Sequence, residues 1–190
     1  MRNEKILTLT DGFSKACAAF NIHPFEALDF FTCHLTVYFY ATRTWDRAIY
    51  LATMILEGLI CKAGEKSALD ELKRDLNVKY IRDVLALMTW KPGGVEEQEY
   101  NDIMNRWFEE IKHRLPPCKI EIDNGKEFAL PNDFCLVCDI VRCTPIEVLQ
   151  YFIDHVSLGY YTNSGKEDMV TQATEFFLLH PLVAVRVGAS

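Results

Sequence analysis

The sequence predicts a mainly α-helical protein with a small antiparallel β-sheet, formed by internal duplication of a strand-plus-three-helix unit about a pseudo-two-fold axis. Three observations predict this fold class. Residues 5–57 align without a gap on residues 126–178 at a constant offset of 121, and apolar residues recur at helical spacing in both copies. An Asn-Gly pair, Asn124–Gly125, separates two short alternating segments, as is typical of a β-hairpin.

The repeat contains 12 identical residues in 53 aligned positions. Unrelated sequences of average composition would share roughly three or four. Chance alignment of apolar helices is the alternative, but the match includes Pro, Glu and His as well as apolar residues. We therefore expect one domain over residues 1–190, divided into copy one (5–57), a helical connector that includes the start of the hairpin (63–125) and copy two (126–178). The identical pairs are Lys5/Lys126, Leu9/Leu130, Phe13/Phe134, Cys17/Cys138, Pro24/Pro145, Glu26/Glu147, Leu28/Leu149, Phe31/Phe152, His34/His155, Tyr40/Tyr161, Ala52/Ala173 and Thr53/Thr174.

Each copy begins with an alternating strand and continues with three helices. The strand places Leu7 and Leu9 on one face in copy one, and Phe128 and Leu130 in copy two. The predicted strands are Lys5–Thr10 and Lys126–Leu130, the first helices Gly12–Phe20 and Asp133–Arg142, the second Pro24–Tyr40 and Pro145–Tyr161, and the third Asp46–Cys61 and Lys166–Leu179.

The start of the second helix is well signalled in both copies. In copy two, Thr144 stands at the N-cap, Pro145 at the first helical position and Glu147 at the third, which is the pattern of a capping box. In copy one, His23 takes the place of the threonine and Glu26 that of the glutamate. Helix initiation explains both glutamates without a catalytic role.

The connector is predicted to be mostly helical. It has a capping box at Ser67–Asp70, a short helix that Asn77 would end, and a second helix, Val78–Trp90. The apolar side of that second helix comprises Ile81, Val84, Leu85 and Met88. A break at Lys91–Gly94 precedes a helix over Glu96–Leu115, and the hairpin follows with strands Cys118–Asp123 and Lys126–Leu130, which Lys5–Thr10 would extend to three strands.

Composition favours an acidic protein without a membrane span. The formal net charge is -7, and residues 115–190 carry 5 basic and 10 acidic side chains, which makes phosphate binding unfavourable. The longest apolar run, Ala48–Cys61, contains Glu57 and is shorter than the about 20 residues that a span needs. Seven cysteines without a visible signal peptide predict reduced thiols and a cytoplasmic location.

Two histidines occupy equivalent positions, one in each copy. If the copies pack about a pseudo-two-fold axis, the rings of His34 and His155 could approach each other and share a metal or form a pH-sensitive contact. The favoured interpretation is that each ring is half-buried and bonded to a backbone carbonyl or a carboxylate, because a metal needs three or four ligands.

Four cysteines fall close together in the sequence: Cys118, Cys135, Cys138 and Cys143. Cys135 and Cys138 form a CxxC pair, but no second CxxC accompanies it and the pair lies in an apolar helix. A zinc site would need four converging thiolates. The favoured interpretation is therefore core packing, with zinc as the alternative.

Nucleic-acid binding is a second alternative. Strand, helix, turn and helix, duplicated, is the element order of a ribbon-helix-helix protomer, and the first two helices can also be interpreted as a helix-turn-helix. The second helix has no Lys or Arg in either copy, and the outward strand positions offer almost no cations. These residues argue against both interpretations.

No motif for a nucleotide, a nucleophilic serine or a zinc protease is present, and no cofactor is predicted. The sequence therefore favours a non-enzymatic interaction or regulatory module that binds a protein partner or self-associates. The alternatives are a DNA-binding regulator and a metal-binding protein or enzyme that uses His34 and His155. The interaction surface is not predicted.

Overall fold

A computed structural model describes residues 6–42, 46–63, 71–90, 97–115, 119–122, 125–159 and 168–183. The predicted features at Ser67–Asp70, Lys91–Gly94, Cys118 and Asn124 lie outside these residues. Mainly helical structure is confirmed in the described part of the chain. The elements are β1 (Ile6–Leu7), α1 (Asp11–Phe20), α2 (Pro24–Cys33), α3 (Val37–Thr42), α4 (Arg47–Ala63), α5 (Glu71–Trp90), α6 (Glu97–Ile111), a 3₁₀ turn (Lys112–Arg114), β2 (Lys119–Ile122), β3 (Glu127–Ala129), α7 (Asn132–Ile140), α8 (Pro145–His155) and α9 (Met169–Leu178).

The described sheet has three strands in the order β1-β2-β3 and is mixed. Strands β2 and β3 form the predicted antiparallel hairpin, with Ile120 opposite Phe128. Strand β1 pairs in parallel with β2, placing Leu7 opposite Ile122, so the prediction of a fully antiparallel sheet is wrong. A tight turn fixes the relative direction of β2 and β3 only, because more than a hundred residues separate β1 from β2.

A side chain continues the pairing of β1 beyond its two residues. The Thr8 N–H donates to Gln150 Oε1 at 2.9 Å, and Gln150 Nε2 donates to the Thr8 carbonyl oxygen at 3.0 Å. The Gln150 amide, on α8, thus pairs with the backbone as a neighbouring strand would. This contact satisfies an otherwise open strand edge and fixes α8 against the sheet.

The second helix of copy one is shorter than predicted, and that of copy two is shorter within its described residues. Helix α2 ends at Cys33, and a separate short helix, Val37–Thr42, follows the break, so the predicted single helix to Tyr40 is wrong. Helix α8 ends at His155. The predicted end at Tyr161 lies outside the described residues.

Histidine side chains mark both helix ends. His34 Nδ1 donates to the Phe30 carbonyl oxygen at 2.6 Å, and His155 Nδ1 donates to the Tyr151 carbonyl oxygen at 2.6 Å. In α2 the ring takes the acceptor that the His34 N–H would use in a continuing α-helix, and that N–H turns to the Phe31 carbonyl at 3.1 Å. The last turn tightens and the helix ends.

Helix α5 runs through Asn77, where the sequence predicts a stop. Asn77 is buried, and its side chain has polar partners on two other helices, Trp107 on α6 and Asp139 on α7. Asparagine disfavours a helix interior because its side chain competes for nearby backbone groups. Here tertiary hydrogen bonds occupy the side chain, so the helix continues.

The buried face of α5 also differs from the predicted apolar stripe. Asn77, Tyr80 and Val84 point into the protein, whereas Leu85 is 39% exposed. The prediction of the apolar stripe used apolar residues alone. Two polar residues that have partners inside the protein shift the buried face of the helix away from Leu85. The described part of α5 packs against α6, with the Tyr80 and Trp107 rings stacked at 5.7 Å.

The centre of the core is aromatic. Phe31 of α2 and Phe152 of α8 stack with centroids 4.3 Å apart and an interplanar angle of 6°. Phe176 of α9 meets both rings edge-on, at 5.4 and 5.6 Å. Phe13 of α1 meets Phe152 edge-on at 5.9 Å. These side chains are fully buried and join four helices from both ends of the chain.

Helices α1 and α7 end in the same backbone conformation. Asn21 follows α1 with φ 49°, and Arg142 follows α7 with φ 61°. The Ile22 N–H reaches back to the Cys17 carbonyl at 2.9 Å, and the Cys143 N–H to the Cys138 carbonyl at the same distance. This left-handed residue closes each helix by satisfying its last carbonyls.

The substitution Arg142→Gly is expected to raise the free energy of unfolding by about 1 kcal/mol, because glycine adopts a positive φ without the clash of a Cβ atom. Urea unfolding at equilibrium measures the change. Asn21→Gly is the matched control and should change stability by less, since asparagine tolerates this conformation. A loss of stability in Arg142→Gly would contradict the expectation.

The two helices differ in what covers them. On α1, Ser14, Lys15, Ala18 and Ala19 are exposed. On α7, every residue from 134 to 139 is buried, including Asp139. The described parts of α3 and α6 pack on α7, whereas α1 packs on α2 and α8.

Candidate functional site

The two equivalent histidines lie in separate aromatic surroundings. His34 packs against Phe30 at 4.3 Å and Phe176 at 5.7 Å between ring centroids, and His155 packs against Tyr151 at 4.2 Å. Both Nδ1 atoms donate to backbone carbonyls. Both rings therefore stabilise a helix end.

The cysteine cluster is placed in and directly after α7. Cys135, Cys138 and Cys143 are buried and free of disulfides, and Cys118 lies outside the described residues. Burial, followed by the neighbouring thiols and Asp139, raises the pKa of Cys138 well above its usual value. The Cys138 thiol therefore keeps its proton in this environment, which makes it a poor nucleophile.

Cys17, the counterpart of Cys138 in copy one, is also protected. Burial raises its pKa to about 12. The Cys33 residue is exposed. Its thiol is nevertheless partly desolvated by neighbouring atoms, and this desolvation, followed by the charge of Asp29, raises its pKa as well. None of these three environments favours the thiolate.

The carboxylate of Asp133 joins three helices. Asp133, in the first turn of α7, accepts from the Val37 N–H at 2.7 Å through Oδ1 and from the Tyr100 hydroxyl at 2.7 Å through Oδ2. The Tyr38 N–H in turn donates to the Tyr100 hydroxyl oxygen at 3.0 Å. Asp133 thus caps α3 from a distant part of the chain, and Tyr100 of α6 completes the contact.

Burial sets the protonation of this contact. Burial raises the pKa of Asp133, and the bonds from Val37 and Tyr100 act in the opposite direction. Burial and then the Asp133 charge raise the pKa of Tyr100. Tyr100 therefore holds its proton and donates to the carboxylate. The arrangement positions backbone and holds helices together; it does not activate a nucleophile.

A second chain of buried hydrogen bonds connects α7 to the connector helices α5 and α6. Trp107 Nε1 donates to Asn77 Oδ1 at 2.9 Å, and Asn77 Nδ2 donates to Asp139 Oδ2 at 3.0 Å. Asn77 and Asp139 are buried and Trp107 is fully buried. The three residues come from α5, α6 and α7, so this polar chain fixes the register of the connector on copy two.

Asp133 and Asp139 are the site residues that sequence reasoning missed. Both lie in an otherwise apolar segment, Asp133–Ile140, of the predicted helix Asp133–Arg142. A charged residue inside such a segment needs a buried partner, and that requirement was the available signal. The identity of the partners was not readable, because they lie 33 to 96 residues away in the chain.

The surfaces relevant to nucleic-acid binding carry mixed charge. The exposed residues of the hairpin include Lys119, Glu121 and Glu127, and Lys119 pairs with Glu127 at 3.3 Å. Helices α2 and α8 contain no Lys or Arg. These surfaces do not form a cationic face of the kind that phosphates attract.

Within the described ranges, no group of three or more His, Cys, Asp or Glu side chains is arranged to hold a metal ion. In that same part of the chain, no helix combines the length and apolarity that crossing a membrane requires. Comparison of the chain with protein-family models, curated proteins and solved structures finds no match.

Proposed function

We propose that this chain is a non-enzymatic interaction or regulatory module, formed by an internally duplicated unit, that binds a protein partner or self-associates. It is one domain in which copies 5–57 and 126–178 flank a helical connector, 63–125. The observation that carries the proposal is that side chains of the types that often act in catalysis instead bind backbone groups and join helices. An apolar ridge on α5 favours self-association.

Local geometry supports the duplication. Features 121 residues apart match: the left-handed residues Asn21 and Arg142, and the ring bonds of His34 and His155 to the fourth preceding carbonyl. Capping boxes begin both α2 and α8. The left-handed residue is Asn in one copy and Arg in the other, so at that position the similarity is one of backbone path.

Packing supports a pseudo-two-fold axis. On such an axis a residue meets its own counterpart, and Phe31 stacks on Phe152, which lies 121 positions later. Helices α4 and α9, which are also counterparts, pack against each other. Strands β1 and β3 flank β2 and run in opposite directions, as an axis through β2 requires. This relation also accounts for the mixed sheet.

An apolar ridge on α5 is the surface we assign to self-association. Val78 is 42% exposed and Leu85 is 39% exposed, and half-buried Ile81 lies between them along the helix, beside the buried face that carries Asn77 and Tyr80. Val78 and Leu85 occupy equivalent places on the ridge when α5 is viewed from either end. A second copy of α5 packed antiparallel would therefore place Val78 against Leu85 of its partner. Such self-complementarity is what a two-fold dimer contact needs.

Sedimentation equilibrium over a range of concentrations tests the proposal. We expect the wild-type chain to dimerise and the double variant Val78→Glu, Leu85→Glu to dimerise at least about tenfold more weakly, because it places two charges in an apolar contact. The control is Ser14→Glu, Ala18→Glu, which adds the same charge to the exposed face of α1 and should dimerise as the wild type does. A wild-type chain that stays monomeric would contradict self-association, and turnover on a substrate panel would contradict the non-enzymatic assignment.

A further inference from the structure

A His-Pro pair begins a helical turn at two places in the chain. His23 Nδ1 accepts from the Phe25 N–H at 3.2 Å, at the start of α2. His180 Nδ1 accepts from the Leu182 N–H at 3.3 Å, before the helical residues 181–183. In both cases a histidine ring does what a serine or aspartate side chain does at an ordinary N-cap. The bond requires a ring nitrogen without a proton.

The two caps differ in their surroundings. His23 is exposed, whereas His180 is only 7% exposed and meets the ring of Phe30 at 4.9 Å. The backbone and the carboxylate of Glu26 also act on the His180 ring, in the direction that favours a proton. Nδ1 accepts from the Leu182 N–H, so this nitrogen carries no proton while the cap is formed. The Val183 N–H donates to the His180 carbonyl at 2.8 Å, and Val183 is buried.

We propose that His180 is an acid-sensitive cap that holds the helical turn of residues 181–183 while its ring is neutral and releases that turn when its ring gains a proton. Protonation puts a hydrogen on Nδ1, where the Leu182 N–H already points. The two donors then face each other, and the cap is lost. The proposal does not depend on the dimer contact at α5.

The charges around His180 do not cancel this effect. On α2, the Glu26 carboxylate attracts a protonated ring, but it also accepts from the His23 N–H at 2.7 Å in the capping box. Asp29 of α2 is exposed, and Glu175 of α9 pairs with Arg47 at 2.6 Å. Cys33, the last residue of α2, is exposed, and partial burial of its thiol and the charge of Asp29 raise its pKa. His34, which directly follows α2, packs its ring on Phe30 at 4.3 Å.

The direction of the pH response follows from burial. Burial lowers the pKa of His180 below its ordinary value of 6.5, and the Glu26 carbonyl and charge offset part of that change. The unfolded chain therefore takes up a proton at higher pH than the folded chain. Stability from the neutral ring is present above about pH 6.5 and is lost as the pH falls through the lowered folded pKa.

Amide hydrogen exchange by NMR, expressed as protection relative to the unfolded chain, tests the cap in the full-length protein. We expect the protection of the Leu182 N–H to fall at least tenfold between about pH 7.5 and about pH 5, following the titration of the His180 ring. Protection that stays constant while the ring titrates would overturn the proposal.

Two variants separate the cap from other acid effects. In His180→Asn, the side-chain oxygen can accept from the Leu182 N–H but does not titrate, so protection of that amide should no longer depend on pH. In His23→Asn, the exposed cap is changed in the same way and the response of Leu182 should remain. An equal fall in both variants would place the acid response elsewhere. If His180→Asn does not fold, the wild-type ring decides the matter, because long-range ¹H–¹⁵N spectra that show a protonated Nδ1 at neutral pH would exclude the cap.

Discussion

The Phe152→Ala variant is expected to unfold with a free energy about 3–5 kcal/mol below that of the wild type. The ring is fully buried, stacks on Phe31 at 4.3 Å, and meets Phe176 and Phe13 edge-on. Its removal leaves a cavity at the point where the helices of both copies meet, and stiff aromatic rings cannot collapse to fill it. Urea unfolding followed by circular dichroism measures the change.

A double-mutant cycle with Phe31→Ala isolates the stacked pair. We expect a coupling of about 0.5–1.5 kcal/mol between Phe31 and Phe152, because each ring loses part of its contact in either single variant. The control cycle pairs Phe31→Ala with Trp107→Phe, a substitution in the connector beside Tyr80, and should be additive. Large single effects with no coupling would refute direct stacking at the centre of the fold.

The Asn77→Asp variant is expected to lose about 3 kcal/mol of stability at neutral pH. Asn77 Nδ2 lies 3.0 Å from Asp139 Oδ2, so the substitution replaces a buried donor with a second carboxylate. Like charges raise the pKa of the pair above the unfolded value of about 3.9. The loss is therefore absent below that unfolded value and develops as the pH rises through the folded pKa of the pair.

Unfolding measured from acid to neutral pH checks this sign. Asn77→Ala is the control: it removes the acceptor of the Trp107 N–H and costs about 1–3 kcal/mol, but it adds no charge. The stability difference between the two variants should grow as the pH rises. A stability difference that is independent of pH would mean that the introduced carboxyl group is exposed to solvent. It would also mean that Asn77 is not buried from solvent beside Trp107.

Helix starts were readable from the sequence because they depend on neighbouring residues. The capping box at Thr144 and Glu147 occurs as predicted, with the Thr144 N–H donating to Glu147 at 2.7 Å. The hairpin was readable for the same reason, since Asn-Gly favours one kind of turn. Helix α1 also begins within one residue of its prediction.

The sequence predictions fail where residues far away in the chain determine the structure. The helix through Asn77 and the direction of β1 depend on partners far away in the chain, which periodicity does not reveal. The break after Cys33 was hidden for another reason: apolar residues continue at helical spacing beyond it. The end is visible only in the structure, where the His34 ring bonds the Phe30 carbonyl and the His34 N–H turns to the Phe31 carbonyl. For the site, Asp133 and Asp139 could have been singled out, but not their partners.

One side of α1 is exposed to solvent, whereas the matching side of α7 is buried by other helices, and this difference has an evolutionary consequence. Positions 14, 15, 18 and 19 face solvent and are open to neutral drift, whereas their counterparts at 135, 136, 139 and 140 are held by packing. Divergence between two copies of one ancestral unit would then accumulate on the uncovered helix. A saturation library selected for folding should tolerate many amino acids along that edge of α1 and few along α7.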